Sequence, residues 1–213
     1  MSVDSEIKAE NAEATALIPC WSCKGPVNEG NPFCGTCEAV QSPGQINHFV
    51  RFGLPVAFRI DEPALDLKYF ELQRMLHPDR FVAKGGAEKA LSQQQAISLN
   101  EAYETLKDAQ RRADYMVHLF GTEVLPEGCN LVNDQELLIE AMEMREALLE
   151  AETVDEVMAV GQRAFDDIKE CIEDLADAFD LHNYSEACRL TTRLKYLQKL
   201  ADETKARRVK LMS

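Results

Sequence analysis

The sequence predicts a mainly α-helical protein, and three observations favour this fold class. The 213 residues are 46% hydrophobic and 28% charged, which is typical of a chain that buries a core. One Trp, 10 Gly and 8 Pro argue against a barrel, a sandwich or a collagen-like chain. Beyond residue 47, apolar residues recur every three to four positions between helix-capping residues. We therefore expect a small N-terminal module followed by two helical domains.

The charge of the chain limits the partners that it can bind. The formal net charge is −14, which repels nucleic acid and anionic membrane surfaces. No apolar run approaches the roughly 20 residues that span a bilayer. We therefore expect neither a nucleic-acid partner nor a membrane.

The first segment, residues 1–19, is predicted to be a flexible tail. It contains Asp4, Glu6, Glu10 and Glu13 against the single basic residue Lys8. This is the wrong charge for a secretory signal or an Arg-rich transit peptide. We expect a bacterial cytoplasmic protein, or a mitochondrial matrix protein from which a presequence has been removed.

The second segment, residues 20–40, is predicted to be a tetracysteine zinc module. Its cysteines are spaced C-x2-C-x10-C-x2-C, and two such pairs can arrange four thiolates tetrahedrally around one structural Zn²⁺. Turn formers at Lys24, Gly25, Pro26 and Gly35 would bend the backbone so that its amides face the sulfurs. The predicted ligands are Cys20, Cys23, Cys34 and Cys37. A redox dithiol or two disulfides are the alternatives, but two close pairs without a secretion signal favour zinc.

The third segment begins after the linker "QSPGQ" and contains two long helices. Asp61 is the expected N-cap of the first helix, and Pro78 must end it. The apolar stripe of this helix consists of Leu65, Tyr69, Leu72 and Leu76, and Phe70 and Met75 widen the stripe. Residues 79–86 are predicted to form an exposed loop. A second helix runs from about Ala87 to Lys107, with inward positions at Leu91, Ile97, Ala102, Tyr103 and Leu106. A third follows Asp108 and ends at Gly121.

The tripeptide His77-Pro78-Asp79 lies in the loop between the two long helices, and this arrangement resembles the J-domain, which stimulates ATP hydrolysis by DnaK-type chaperones. More narrowly, "FGLP" at 52–55, "LHPDRF" at 76–81, "SLNEAYETLKD" at 98–108 and "RRADYMVHLFG" at 111–121 resemble the HscB family of J-proteins, which serve iron-sulfur cluster assembly. The resemblance extends from about Asn47 to the C-terminus, and some HscB-like proteins also carry a tetracysteine module. It implies a J-domain over residues 47–122.

The chemistry of the tripeptide favours docking over catalysis. A carboxylate on a loop stiffened by Pro78 can pair with an Arg of a partner at low entropic cost. No nucleophile motif or phosphate-binding loop accompanies His77, so we predict that the protein is not an enzyme. The alternative is that His77 only caps a helix and Asp79 only begins a turn.

Basic residues near the loop could meet an acidic chaperone surface or could simply be solvated. The predicted chaperone-binding residues are His77, Pro78, Asp79, Lys68, Arg74, Arg80 and Lys84.

The last segment, residues 131–213, is predicted to be a three-helix bundle. "NDQELLIEAMEMREALLEAE" is amphipathic, "TVDE" at 153–156 is a capping box, and "NYSE" at 183–186 opens the final helix. Residues 134–180 carry 3 basic and 16 acidic groups, whereas residues 181–213 carry 8 and 3, so the last helix can attract the first two.

The family resemblance also implies that the bundle binds an IscU-type iron-sulfur scaffold. Matched residue by residue, the predicted contacts are Leu138, Ile139, Met142, Glu143, Glu146 and Tyr196. The alternative is that Leu138 and Met142 are core residues and that Tyr196 is half-buried.

These features favour a co-chaperone that joins a DnaK/HscA-type chaperone ATPase to an IscU-type scaffold. A general J-protein for unfolded clients would carry repeated zinc motifs or a Gly/Phe-rich segment after the J-domain, and the sequence has neither. A thiol-disulfide oxidoreductase acting through Cys20 and Cys23 would hold a labile disulfide instead of metal. Whether the protein forms a homodimer is left open by the sequence.

Overall fold

A computed structural model describes residues 17–121 and 134–212 of the chain. The part of the predicted tail at residues 1–16, and the predicted start of the bundle at residues 131–133, lie outside the described residues. The described part contains one two-stranded sheet and seven α-helices, which confirms the mainly α-helical fold class. Two compact units divide the chain, with the boundary between Asp108 and Ala109.

The first unit begins with a short antiparallel hairpin. Strands β1 (Leu17–Pro19) and β2 (Pro26–Asn28) pair with Ile18 opposite Val27. Residues 17–19 were predicted to belong to the flexible tail, and this part of the prediction is wrong. These three residues are ordered by pairing with β2, and their own sequence contains no local signal that predicts a strand.

The helices of the first unit are α1 (His48–Phe52), α2 (Glu62–Leu76) and α3 (Gly86–Lys107), with a 3₁₀ turn at Pro78–Phe81. Asp61 caps α2 as predicted, because its side chain accepts a hydrogen bond of 3.0 Å from the backbone N–H of Ala64. His77 is the C-cap, and Pro78 ends the helix as predicted.

Helices α2 and α3 pack antiparallel around a small core. The rings of Tyr69 and Tyr103 stack with centroids 3.9 Å apart. Two details of the predicted helix faces are wrong: Ile97 is 68% exposed, and Phe70 and Met75 are exposed on the outer side of α2. The buried positions of α3 fall at 92, 95, 99, 102 and 106, and residue 97 therefore lies on the opposite side of the helix.

The second unit contains α4 (Ala109–Gly121), α5 (Gln135–Glu150), α6 (Val154–Asp180) and α7 (Tyr184–Met212). Helices α6 and α7 form a long antiparallel hairpin, and Gly161 brings α6 close to Thr204 of α7. The capping box that opens α6 at Thr153 is present as predicted. α5 packs on this hairpin, which confirms the three-helix bundle.

Helix α4 also packs on α7, and Lys195 Nζ lies 2.7 Å from Asp114 Oδ1 of α4. The compact units therefore group α4 with the bundle, whereas the sequence resemblance groups it with residues 47–122. No helix among the described residues is long and apolar enough to cross a membrane.

Candidate metal centre, HPD loop and bundle groove

The four predicted cysteines lie together. Their sulfur atoms all lie within 4.8 Å of one another, and two pairs, Cys20–Cys37 and Cys23–Cys34, are 3.7 Å apart. Four sulfurs at about 2.3 Å from a central ion would be separated by about 3.8 Å in a tetrahedron. The cluster therefore has the size of a four-thiolate metal site.

The two Cys-x-x-Cys pairs have the same backbone geometry. The N–H of Lys24 donates to the carbonyl of Cys20 (3.0 Å), and the N–H of Glu38 donates to the carbonyl of Cys34 (2.9 Å). Lys24 and Glu38 adopt positive φ angles of 64° and 59°. Lys24 and Gly25 were both predicted turn formers, and the left-handed position is Lys24. Gly25 is needed for close approach, because an added Cβ would lie 3.1 Å from the Thr36 hydroxyl oxygen.

Backbone amides face the sulfurs, as the sequence predicted. The amides of Ser22, Gly25 and Thr36 donate to the sulfurs of Cys20, Cys23 and Cys34, each over 3.4 Å. Burial opposes ionisation of Cys20, but hydrogen bonds from the backbone of Cys23 and Ser22 and from neighbouring thiols lower its pKa to about 6. These hydrogen bonds favour the thiolate form of Cys20, the form that binds a metal. For Cys23, the Gly25 amide lowers the pKa, but contacts with the other thiols and burial outweigh it and raise the pKa to about 11.

The donor set fits a soft divalent ion. Four thiolates in a closed tetrahedral set leave no open coordination position, which is typical of structural zinc. The cysteines are free thiols, and the 3.7 Å contacts join sulfurs from different Cys-x-x-Cys pairs. This arrangement fits a shared central ion better than a Cys20–Cys23 redox dithiol.

The HPD loop presents its carboxylate to solvent. The Nδ1 atom of His77 accepts a hydrogen bond of 3.3 Å from the backbone N–H of Asp79, and the Asp79 side chain is 86% exposed. Phe81 is buried and fixes the end of the 3₁₀ turn. The loop is therefore held by local contacts, and the Asp79 carboxylate, 3.6 Å from His77 Nδ1, remains largely exposed to a partner.

A shallow depression adjoins the loop. It has a volume of about 440 Å³ and is lined by Phe70, Gln73, Arg74, His77 and Arg80. The guanidinium of Arg80 donates to the carbonyl of Arg74 over 3.2 Å, which draws the two basic residues together. Phe70 was misassigned to the core by its helical spacing, but it forms the apolar part of this surface.

The other two predicted chaperone contacts lie apart from the depression lining. Lys68 pairs with Glu71 of its own helix at 3.2 Å. Lys84 lies over the Phe81 ring, with Nζ 5.8 Å from the centroid. Both lysines are exposed.

A groove between α5 and α7 brings together three of the predicted scaffold contacts. Leu138, Met142 and Tyr196 line it, and Met142 is 70% exposed. The groove has a volume of about 170 Å³, and its remaining lining residues are Ala141, Met144, Arg145, Lys199, Leu200 and Glu203. The alternative that Leu138 and Met142 are core residues does not agree with their exposure.

The remaining scaffold candidates lie on α5 outside the groove lining. Ile139, Glu143 and Glu146 are exposed. Sequence reasoning missed the ion pair of 3.6 Å that Arg145 and Glu203 form across the groove. An Arg and a Glu on facing helices 58 positions apart carry no local signal of this pairing.

Ion pairs fix the groove by joining α5 to α7. The guanidinium of Arg193 donates to both carboxylate oxygens of Glu140, with a shortest distance of 2.7 Å. This hydrogen bonding raises the pKa of Arg193 above its ordinary value. Arg189 donates over 2.9 Å to Asp134, the N-cap of α5. These ion pairs join α5, in the acidic segment 134–180, to α7, in the basic segment 181–213.

An HPD loop between two antiparallel helices, with a four-cysteine module before it and a helical bundle after it, defines a J-domain protein. Comparisons with known proteins specify the family. Residues 133–205 match the family model described as the HSCB C-terminal oligomerisation domain.

The chain is 31% identical over 196 residues to the human iron-sulfur cluster co-chaperone protein HscB, covering 90% of this chain and 83% of the human one. It is 34% identical over 160 residues to the co-chaperone protein HscB homolog of Burkholderia thailandensis, covering 74% and 91%. The crystal structure of human co-chaperone protein HscB superposes with a TM-score of 0.81 at 31% identity, covering 90% and 99%. The chain belongs to the HscB family.

Proposed function

We propose that the protein is a J-protein co-chaperone that stimulates a DnaK/HscA-type chaperone ATPase and delivers an IscU-type iron-sulfur scaffold to it. The observation that carries this proposal is the HPD loop, which holds His77 locally and leaves the Asp79 carboxylate in solvent.

The loop and the neighbouring depression form the chaperone-binding surface. Asp79 can accept charge-assisted hydrogen bonds from an Arg of the chaperone. Arg74 and Arg80 can meet acidic groups, and the exposed Phe70 ring supplies apolar area beside them. Lys68 and Lys84 increase the positive potential near the loop and would act mainly on the association rate.

The α5–α7 groove is the scaffold-binding surface. Leu138, Met142 and Tyr196 form an exposed apolar centre, which supplies most of the binding energy in a typical interface. Ile139 extends this centre along α5, while Glu143 and Glu146 provide a charged rim that sets orientation.

The four cysteines bind one structural Zn²⁺. The ion stabilises the small N-terminal module, which buries little apolar surface without it. The protein acts in a bacterial cytoplasm or in the mitochondrial matrix, where an iron-sulfur assembly scaffold is present.

Co-capture tests whether one chain holds both partners. The immobilised full-length protein is mixed with purified DnaK-type chaperone, ATP and purified IscU-type scaffold. Retention of both partners at once is the expected result. Failure to retain the scaffold under conditions where an HscB-family protein of known activity retains it would contradict the proposal.

A further inference from the structure

Gln41 lies four residues beyond Cys37, the last of the four clustered cysteines, and its backbone and its side-chain amide nitrogen all form hydrogen bonds. Its backbone N–H donates to the carbonyl of Pro32 over 2.9 Å. Its side-chain amide nitrogen lies 2.7 Å from the carbonyl of Ala39 and 3.4 Å from the sulfur of Cys20. Its own carbonyl accepts a hydrogen bond of 3.0 Å from the side chain of Gln95 in α3.

Both glutamines are buried, although their side chains are polar. Gln41 is 3% exposed and Gln95 is 2% exposed. Burying an amide costs free energy unless it is hydrogen-bonded, so these two side chains are held in place by the bonds described above. The chain of contacts runs from a sulfur of the metal centre, through Gln41, to the middle of α3.

We propose that Gln41 is a positioning residue that couples metal binding at the four cysteines to the stability of helix α3. The coupling rests on the proposed metal site. The amide N–H of Gln41 fixes the Cys20 sulfur, and the metal in turn fixes Gln41 so that its carbonyl faces Gln95. In the HPD-bearing unit, metal loading then stabilises one of the two helices that hold the loop.

Other contacts attach the module to the linker but do not involve the sulfurs. Glu29 accepts a hydrogen bond of 3.1 Å from the backbone of Gln45, and Ile46 packs against Gly30. These contacts would persist whether or not the cysteines hold a metal. The Gln41 contact is different because the same residue touches a metal ligand and α3.

Coupling between two events is reciprocal in free energy. If the metal strengthens the Gln41–Gln95 bond, then removal of the Gln95 amide must weaken metal binding. If the bond only stabilises the fold, its removal should instead lower the free energy of unfolding of the metal-free and metal-loaded proteins equally. This difference separates a coupling role from a purely structural one.

Three variants of the full-length protein test the coupling. Gln41→Met removes the N–H that faces Cys20, and Gln95→Met removes the donor to the Gln41 carbonyl while touching no sulfur. Gln94→Met makes the same chemical change at an exposed neighbouring position of α3 and serves as the control. The affinity for Zn²⁺ is measured by competition with a chromophoric chelator, and Co²⁺ is used as the spectroscopic probe.

We expect Gln41→Met to weaken metal binding about tenfold and Gln95→Met about fivefold, with no change for Gln94→Met. Loss of the N–H···S bond in Gln41→Met should also move the thiolate-to-Co²⁺ charge-transfer band to longer wavelength. In the wild-type protein, metal removal should lower the hydrogen-exchange protection of α3 around residue 95.

Unchanged metal affinity in folded Gln95→Met, or unchanged protection of α3 on metal removal, would overturn the coupling. The wild-type measurement remains decisive if a variant does not fold. A wild-type protein that binds no metal would overturn the proposed zinc site itself. Normal zinc binding by the wild type, by Gln41→Met and by Gln95→Met would overturn only the coupling.

Discussion

Ser92 of α3 donates a 2.6 Å hydrogen bond from its hydroxyl to the carbonyl oxygen of Leu76, the last residue of α2. Both residues are buried. The final carbonyls of a helix have no partner within the helix, so Ser92 satisfies one that would otherwise be buried without a hydrogen bond. The bond fixes the end of α2 immediately before the HPD loop.

Ser92→Ala should lower the free energy of unfolding by about 1 to 2 kcal/mol, because the Leu76 carbonyl loses its donor. It should also reduce stimulation of the chaperone ATPase, since the start of the loop is less firmly held. Denaturant unfolding and a steady-state ATPase assay measure the two effects. Ser98→Ala, on the same helix, should leave both unchanged; equal effects of the two substitutions would contradict the role of Ser92.

Local signals in the sequence predicted much of the fold. Asp61 was recognised as a cap from the Glu62 and Pro63 that follow it, and Thr153 from the capping-box pattern "TVDE". In the structure, each side chain accepts a hydrogen bond from the amide three residues further on. The four cysteines were recognised because their spacing fixes the loop lengths that a metal site needs. Leu138, Met142 and Tyr196 were placed on one surface by family resemblance, and the structure brings them into one groove.

Contacts between distant segments could not be predicted. Helical spacing shows that an apolar stripe exists but not which of its edges is buried, which is why Phe70 was misassigned. Ile97 was assigned inward as an apolar residue, although it lies on the side of α3 opposite the buried positions. The Gln41–Gln95 bond joins residues 54 positions apart, and glutamine is an ordinary surface residue without such a partner. The left-handed backbone at Lys24 and Glu38 was missed because glycine nearby was the stronger local signal.

Asp66 should contribute to stability at neutral pH and lose that contribution in acid. The hydrogen bond from Lys107 has the largest effect on the pKa of Asp66 and lowers it. Burial raises this pKa, but the bonds from Lys107 and Tyr103 together bring it below the ordinary value of 3.8. The stabilisation is therefore present above pH 3.8 and is lost as pH falls through the lower, folded-state pKa. Urea unfolding should show Asp66→Asn to be less stable than wild type at pH 7, with the difference narrowing towards pH 3.

The matched control for Asp66 is Glu88→Gln, which removes a half-buried carboxylate from the first turn of α3. It should shift stability only slightly across the same range. A difference between wild type and Asp66→Asn that stays constant from pH 7 to pH 3 would show that Asp66 does not act through its charge.

Purified protein should contain about one zinc per chain, as a single four-thiolate site requires. Elemental analysis measures the content. Cys23→Ser should lower it, whereas Cys171→Ala, which removes a buried cysteine of the bundle, should not. Recovery of folded, metal-free protein with Cys20 and Cys23 oxidised would contradict the zinc site and favour a redox dithiol.

Replacing Leu138, Met142 and Tyr196 together with Ala should weaken scaffold binding at least tenfold, or about 1.4 kcal/mol. The three side chains are exposed, so the bundle should remain folded. Calorimetric titration with the purified scaffold gives the affinity. Ala at Leu149, Met158 and Phe165, three other exposed apolar residues of the bundle, is the control and should bind normally. A folded groove variant with wild-type affinity would show that the scaffold binds elsewhere.

Stimulation of ATP hydrolysis by a DnaK/HscA-type chaperone, measured in a single turnover without scaffold, tests the central claim most directly. The wild-type protein should accelerate hydrolysis, and His77→Gln and Asp79→Asn should each abolish the acceleration without changing helix content or melting temperature, because both side chains are exposed on the loop. Glu88→Gln should stimulate like wild type. Full stimulation by either loop variant, or none by the wild-type protein, would contradict the assignment of the HPD loop as the chaperone-activating site.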